Sequence, residues 1–149
     1  MTINDVLAQK GTQVFTINHE KLASDALRTF VKKHIGALVA LDTKNNIMGI
    51  VTERDVLYMF ASAAGKAKSA RVKDIMTPAK KLIIGHKDND LEYVMSIMTE
   101  NRMRHMPIID DKGKLAGFIS IGDIVKALLK NAEYEKNVLT DYIQGTYPK

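Results

Sequence analysis

The chain has 149 residues, a formal net charge of +5 at pH 7 and no cysteine. Its length suits one compact domain or two small repeats that share a core, and an apolar content of 46% excludes wholesale disorder. The lack of cysteine excludes a disulfide scaffold, a thiolate metal site and a cysteine nucleophile. There is neither a run of about 18 apolar residues nor a signal-peptide pattern, so we expect a cytoplasmic protein with no membrane contact.

The first half of the chain predicts five elements in the order strand, helix, strand, strand, helix. Strands are indicated by β-branched runs next to turn residues, and helices by apolar residues at helical spacing. The predicted ranges are a strand at 13–17, a helix around 22–31, strands at 37–41 and 47–51, and a helix from 53 to 64. Gly65 then stands as a C-terminal stop.

The second half repeats the first. Gly49 and Gly117 are 68 residues apart, as are Asp55 and Asp123, and the apolar positions between them keep the same spacing. The predicted ranges are a strand at 81–84, a helix around 91–98, strands at 106–109 and 115–120, and a helix that begins near Asp123 and extends towards Tyr142.

The repeat predicts the fold class and the division of the chain. Residues 66–71 form a polar, basic segment without apolar periodicity, and residues 72–76 resemble residues 3–7 as a short helical lead-in. We therefore expect a first repeat at 5–66, a linker at 67–74, a second repeat at 75–133 and a C-terminal helix or tail at 134–149. Two β-α-β-β-α units of an α/β (α+β) fold would pack face to face with pseudo-twofold symmetry, because neither could bury its sheet alone.

A doubled motif places a hydroxyl three residues before an acid where a strand leads into a helix. Thr52 and Asp55 form one copy, and Ser120 and Asp123 form the other. As capping boxes, they would only satisfy amides at the start of a helix. The same geometry suits a ligand as well, since free N–H groups at a helix start attract phosphate and an ionised Asp can accept both hydroxyls of a ribose.

The other candidate groups are less specific. Arg102, Arg104 and His105 precede a predicted strand, where they could bind phosphate or simply complement a helix C-terminus. The four histidines lack metal-ligand spacing, so we expect no metal. No nucleophile–base motif occurs, which argues against an enzyme. The scattered Lys and Arg residues and the absence of Trp make nucleic acid an unlikely partner.

Residues 36–42 through 49–55, and 105–110 through 117–123, resemble the signature of the CBS (cystathionine β-synthase) domain. The chain is similar to a stand-alone tandem CBS pair, or Bateman module. The resemblance implies a regulatory, non-catalytic protein with two clefts between the repeats. Such clefts commonly bind adenosine-containing ligands: AMP, ADP, ATP, NAD or S-adenosylmethionine.

The resemblance also implies site residues by position. In a first cleft, Thr52 and Asp55 would hold phosphate or ribose, and the adenine would contact Lys80, Leu82, Met103 and Met106. In a second cleft, Asp123 would take the ribose, with Ser120 nearby, Phe118 against the base, and Arg104 and His105 at the phosphate. Its adenine pocket would be lined by Thr12, Val14, Ile35, Gly36 and Ala37.

The two copies also differ. Val39 stands where the family usually has Pro, and Glu53 in the first motif would repel phosphate if it faced the cleft, whereas Gly122 in the second leaves room. These differences favour the Asp123 cleft. The family also tends to form flat homodimers through its helices, and here the apolar face would include Leu57, Tyr58, Phe60 and Leu128.

Two alternatives stay open from the sequence alone. The first is an interaction module that docks on an effector enzyme or transporter and whose clefts are vestigial. The second is nucleic-acid binding through the basic linker and the tail, which would make affinity strongly salt-dependent.

Overall fold

Two sheets and six helices make up the described part of the chain, which in this computed structural model comprises residues 1–62, 65 and 67–145. The helices are α1 (Ile3–Lys10), α2 (Ala23–Lys33), α3 (Glu53–Ser62), α4 (Val72–Ile75), α5 (Leu91–Glu100) and α6 (Ile121–Gln144). The strands are β1 (Thr16–Asn18), β2 (Ala37–Leu41), β3 (Ile47–Thr52), β4 (Thr77–Pro78), β5 (Gly85–His86), β6 (His105–Ile109) and β7 (Leu115–Ser120). A short 3-10 turn covers Ala79–Lys81.

The sheets confirm the predicted mixed α/β fold and its internal repeat. In the first sheet, of order β1-β2-β3-β4, β1 is parallel to β2 and β2 forms an antiparallel hairpin with β3. In the second sheet, of order β5-β6-β7, β5 is parallel to β6 and β6 forms the equivalent hairpin with β7. Both hairpins carry a register shift at the same place, after Ala40 and after Ile108.

The two hairpin turns are held by the same bonds. The Asp42 carboxylate accepts from the backbone amides two and four residues later, each at 2.8 Å, and the Asp110 carboxylate does so at 2.9 Å. Each turn also contains one residue in the left-handed region, Asn45 at φ 64° and Gly113 at φ 75°. Asn and Gly are the residues that adopt this conformation most readily.

The lead-in helices pack on opposite repeats. α1 contributes Ile3, Val6 and Leu7 to the core of the second repeat, whereas α4 contributes Val72 to the core of the first. The backbone bonds match this exchange: the Ile3 amide donates to the Asn89 carbonyl at 3.0 Å, and the Val72 amide to the Lys21 carbonyl at 2.8 Å. Each repeat is therefore completed by the segment that precedes the other.

Equivalent glycines make room for these exchanged segments. A Cβ at Gly49 would lie 2.4 Å from the Thr77 carbonyl oxygen, and one at Gly117 would lie 2.8 Å from the Leu7 side chain. Gly49 meets a backbone atom and Gly117 a side chain because α4 and α1 have different lengths. α4 ends after one turn and continues as β4, which pairs with β3, whereas α1 continues for a second turn to Lys10. Pro78 keeps the chain from resuming the helix, because the residue before a proline, here Thr77, is driven out of the helical region.

Two predicted strands lie elsewhere in the structure. Residues 13–15 precede β1, which covers Thr16–Asn18 in place of 13–17. Residues 81–84 are wrong as a strand, because Ala79–Lys81 is a 3-10 turn and the strand is Gly85–His86. In both cases the strand begins later in the chain than the apolar run that predicted it. β1 and β5 each pair with a single neighbouring strand, over three and two residues, so most of each apolar run precedes the strand.

The predicted helices are confirmed, with shifted ends. α3 is described to Ser62. The predicted helix end at 63–64, the predicted end of the first repeat at 66 and residues 146–149 of the tail lie outside the described residues. α6 begins at Ile121, two residues before Asp123, and continues to Gln144. Leu128 is wrong as an open dimer-face residue, because it is half-buried against the second core. Leu57, Tyr58 and Phe60 are exposed as predicted.

Candidate functional site

Both copies of the doubled motif cap a helix. The Thr52 amide donates to Oδ2 of Asp55 at 2.8 Å, and the Ser120 amide donates to Oδ2 of Asp123 at 2.8 Å. In return, the hydroxyl of each motif accepts from the amide of its own Asp, at 3.4 Å in the first copy and 3.1 Å in the second. The capping interpretation therefore holds in both repeats. It also fixes each carboxylate at a strand-to-helix junction.

A cavity of about 780 Å³ adjoins the first motif and lies between the repeats. Thr52 from the end of β3 and Leu57 from α3 form one side, and Leu82, Ile83 and Met103 from the second half form the other. This volume is within the range of small-molecule sites. Of the residues predicted for the first cleft, Thr52, Leu82 and Met103 thus come together.

Cationic side chains dominate the charge around this cavity. Arg54, Lys81, Arg102 and Arg104 line it together with one acid, Glu53. Glu53 faces the cavity, as its expected repulsion of phosphate requires. Its carboxyl group lies 3.7–3.9 Å from the position that a Cβ at Gly36 would occupy. Four cations against one acid nevertheless give the cavity a positive lining, which suits an anionic ligand.

Asp55 sits beside this cavity in a half-buried position. Burial raises the pKa of its carboxyl group, and the hydrogen bonds from Thr52 oppose that rise only in part. No ion pair reaches Asp55 from the described residues. The carboxylate is thus held in place without a compensating cation.

The second motif has a cation of its own. Nζ of Lys10, the last residue of α1, lies 2.6 Å from Oδ2 of Asp123 and donates to the Phe118 carbonyl oxygen at 2.7 Å. The His105 ring stacks on Phe118 with centroids 5.4 Å apart and an angle of 12° between the planes. Asp123, Ser120, Phe118 and His105 therefore lie together as predicted, with Lys10 among them.

The charges in this cluster influence one another. Burial raises the pKa of Asp123, but the hydrogen bonds from Lys10 and Ser120 outweigh it, so the net pKa is lowered. Burial lowers the pKa of His105, and the positive charges of Lys10 and Arg104 lower it further against the opposing effect of Asp123. The imidazole is therefore neutral at pH 7.

The remaining predicted residues are distributed more widely. Arg104, His105 and Gly36, assigned to the second cleft, line the cavity at the first motif, so one opening joins residues of both predicted sets. Asp55, Lys80 and Met106 are not part of that lining, and Met106 is buried in the second core.

Four residues predicted for an adenine pocket have other surroundings. Ile35 packs against the core of the first repeat, whereas Ala37 is buried in β2 on the face opposite Leu38 and Ala40, which belong to that core. Thr12 is exposed and Val14 is half-buried in the segment between α1 and β1.

Sequence reasoning missed the cations nearest to both motifs. Lys10 lies three residues beyond the predicted lead-in at 3–7, and its place beside Asp123 depends on the exchange of α1 onto the second repeat. Arg54 lies inside the first motif, and Lys81 lies between two residues predicted for the first cleft, so their charge was a visible but unused signal. Within residues 1–62, 65 and 67–145, no group of three or more His, Asp or Glu side chains could hold a metal ion.

The comparisons with known proteins agree with this geometry. A family model described as CBS domain matches residues 4–62 and 72–130. The chain belongs to the CBS-domain family. The CBS domain-containing protein CBSX3, mitochondrial, of Arabidopsis thaliana is 36% identical over 152 residues, which cover 98% of this chain and 73% of that protein.

Solved CBS pairs share the fold along most of the chain. The CBS-domain containing protein ATU1752 from Agrobacterium tumefaciens has a TM-score of 0.79 and 35% identity, and the match covers 85% of this chain and 98% of that one. CBSX2, from Arabidopsis thaliana, was solved in complex with AMP. That complex has a TM-score of 0.73 and 25% identity, and the match covers 88% of this chain and 98% of that one.

No helix in the described residues is both long enough and apolar enough to cross a membrane. The relative CBSX3 is named as mitochondrial, so the cytoplasmic location expected from the sequence stays a prediction.

Proposed function

We propose that this CBS pair is a regulatory module that binds an adenosine-containing nucleotide between its repeats and leaves it chemically unchanged. The ligand would be of the AMP, ADP, ATP or NAD type, and its occupancy would report cellular energy or redox status. The observation that carries the proposal is the cavity of about 780 Å³ at the first motif, with its excess of cations.

The lining of that cavity suits the two halves of a nucleotide. Leu82, Ile83 and Met103 offer apolar contact for a base, and the guanidinium groups of Arg54 and Arg104 match the oxygens of a phosphate. The Asp55 carboxylate, held by Thr52, is suited to accept from a ribose diol. The AMP complex of the related CBSX2 adds support from the family.

Binding would act as a signal by favouring one arrangement of the repeats over another. A ligand shifts such an equilibrium only by its difference in affinity for the two arrangements. The lining comes from both repeats, since Thr52 and Arg54 belong to the first and Met103 and Arg104 to the second. A bound nucleotide would therefore couple the two halves.

The test is a calorimetric titration of the chain with AMP, ADP, ATP, NAD and S-adenosylmethionine, with thermal unfolding measured in parallel. At least one ligand should bind and raise the Tm, because a ligand at about 100 times its Kd stabilises a protein by about 2.7 kcal/mol. Asp55→Ala or Asp123→Ala should remove most of the gain, whereas Asp111→Ala, an exposed turn residue, should not. Unchanged melting with all five ligands contradicts the proposal.

A second proposal concerns self-association. Leu57, Tyr58 and Phe60 lie close together in α3 and are exposed by 47–69%, and Leu129 of α6 is exposed by 66%. Large apolar side chains that are exposed together often mark an interface. We propose that this face is buried in a homodimer. Sedimentation of the chain and of a Leu57→Lys/Leu129→Lys variant tests this proposal. The unmodified chain should be a dimer and the variant a monomer. A monomeric unmodified chain would contradict the dimer and favour the docking of an effector protein on this face.

A further inference from the structure

Lys10 makes the surroundings of the two motif carboxylates chemically different. Its ammonium group lies 2.6 Å from the Asp123 carboxylate and 2.7 Å from the Phe118 carbonyl oxygen. The first repeat lacks an equivalent contact at Asp55 within the described residues, because α4 ends at Ile75 and the chain turns into β4. The longer α1 is what brings Lys10 to the second motif.

The two acceptors that Lys10 occupies are those that a nucleoside would need. A ribose diol would donate to the Asp123 carboxylate, whose Oδ2 already accepts from Lys10 and from the Ser120 amide. A base near Phe118 would meet the carbonyl group that also accepts from Lys10. A ligand and the ammonium group therefore compete for the same atoms.

The competition depends on the charge of the ligand. If an uncharged nucleoside displaced the ammonium group, Lys10 would lose its anionic partner and gain none, with Arg104 and the His105 ring close by. A phosphorylated nucleoside brings an anion that the released ammonium group can meet. The contact itself is releasable, because the Lys10 and Asp123 side chains keep 36% and 25% of their exposure and such ion pairs are weak.

We propose that Lys10 is a specificity-determining residue of the Asp123 cleft, which weakens the binding of unphosphorylated adenosine by occupying Asp123 and admits phosphorylated adenosine by moving to its phosphate. This inference rests on the proposed function and adds to it a residue and a ligand preference. Gly11, which follows Lys10 with φ 96°, borders open space, because a Cβ built on it would meet nothing within 4 Å.

The experiment compares adenosine and AMP by calorimetry in an Asp55→Asn background, which leaves Asp123 as the one motif carboxylate. Lys10→Met should tighten adenosine binding by about threefold to tenfold, because it removes a competing charge-assisted contact. AMP should gain nothing or bind more weakly, so the preference for AMP over adenosine should fall by about threefold or more. Lys130→Met, on the exposed part of α6, is the matched control and should leave the preference unchanged.

Two further variants guard against a folding artefact. Lys10→Gln should reproduce the effect of Lys10→Met, and Lys10→Arg, which keeps the charge, should retain the preference for AMP. If Lys10→Met and Lys10→Gln still bind and keep the preference for AMP over adenosine, the proposed role of Lys10 is overturned, whereas the proposed function stands. If neither ligand binds to any of these proteins or to the unmodified chain, the proposed function falls, and the role of Lys10 with it.

Discussion

Asp55 and Asp123 occupy equivalent positions in the two repeats and accept the same capping hydrogen bond at 2.8 Å, but their surroundings differ. Asp123 is paired with Lys10 and its pKa is lowered, whereas burial without a cation raises the pKa of Asp55. The cause lies outside the motif, in how far each lead-in helix continues. The comparison teaches that a repeated motif fixes the position of a carboxylate, while the exchanged segment sets its charge environment.

The glycines under the exchanged segments should produce the largest difference between the repeats. In Gly49→Ala the new Cβ meets a backbone carbonyl of β4 at 2.4 Å, so the pairing of β3 with β4 must shift. In Gly117→Ala the Cβ meets the Leu7 side chain, whose outer atoms can rotate away. We expect losses in the free energy of unfolding of about 3 kcal/mol for Gly49→Ala and about 1 kcal/mol for Gly117→Ala.

Urea denaturation of both variants measures these losses. Gly65→Ala is the matched control, since a Cβ at Gly65 meets nothing within 4 Å and its φ is not in the left-handed region. Equal losses at Gly49 and Gly117 would contradict the distinction between a rigid and a flexible neighbour.

The two motif carboxylates should respond oppositely to neutralisation in the absence of ligand. Asp123→Asn removes the partner of Lys10 and should lower the stability at pH 7 by about 1 kcal/mol, as is typical of a partly exposed ion pair. Asp55→Asn removes a charge that burial disfavours and should leave the stability unchanged or raise it. Both variants keep an acceptor for the cap.

The contributions of Asp123 and Asp55 to the stability of the fold should change with pH in opposite directions. The folded pKa of Asp123 lies below the ordinary aspartate value of 3.8, so its contribution is present above 3.8 and is lost as the pH falls through the folded pKa. The folded pKa of Asp55 lies above 3.8, so its contribution is present below 3.8 and is lost as the pH rises through the folded pKa. Thermal unfolding from pH 7 down to pH 3 checks this, and a parallel response of the two Asn variants would refute it.

The sequence predicted the helices and hairpins of both repeats, because their apolar runs have the period of the structure and each hairpin turn has its own Asp. The hairpins and the caps at Asp55 and Asp123 follow from such local signals. The pairing of α1 with the second core could not be predicted, because residues 3–7 and 72–76 have the same pattern and that pattern does not indicate which core each helix joins.

The chemistry of the clefts was less predictable for the same reason. Lys10 reaches Asp123 across 113 residues of chain, and no local period signals a contact of that range. The preference for the Asp123 cleft was drawn from Glu53 against Gly122 alone. The structure adds Lys10 on one side and Arg54 and Lys81 on the other, and these contacts depend on tertiary packing.

His105 should give a smaller effect that reports on the Asp123 cluster. Burial, together with Lys10 and Arg104, lowers its pKa below 6.5, so its contribution to stability is present above 6.5 and is lost as the pH falls through the folded pKa. His105→Gln should therefore reduce the loss of Tm between pH 7 and pH 5. His86→Gln, at an exposed position in β5, should not. If both variants lose Tm as the unmodified chain does, His105 is not the group that titrates.

The hairpin turns should give the smallest effect, because there the repeats are most alike. Asn45 and Gly113 both adopt a left-handed conformation, and their amides donate to the Asp42 and Asp110 carbonyls at 3.1 and 3.0 Å. Asn45→Gly and Gly113→Asn should each change the free energy of unfolding by less than about 0.5 kcal/mol, whereas Gly113→Ala should cost about 1 kcal/mol, because Ala is strained at positive φ. Urea denaturation distinguishes these values. A Gly113→Asn variant as unstable as Gly113→Ala would mean that the second turn needs glycine for space and not for its dihedral angle, although a Cβ at Gly113 meets nothing within 4 Å.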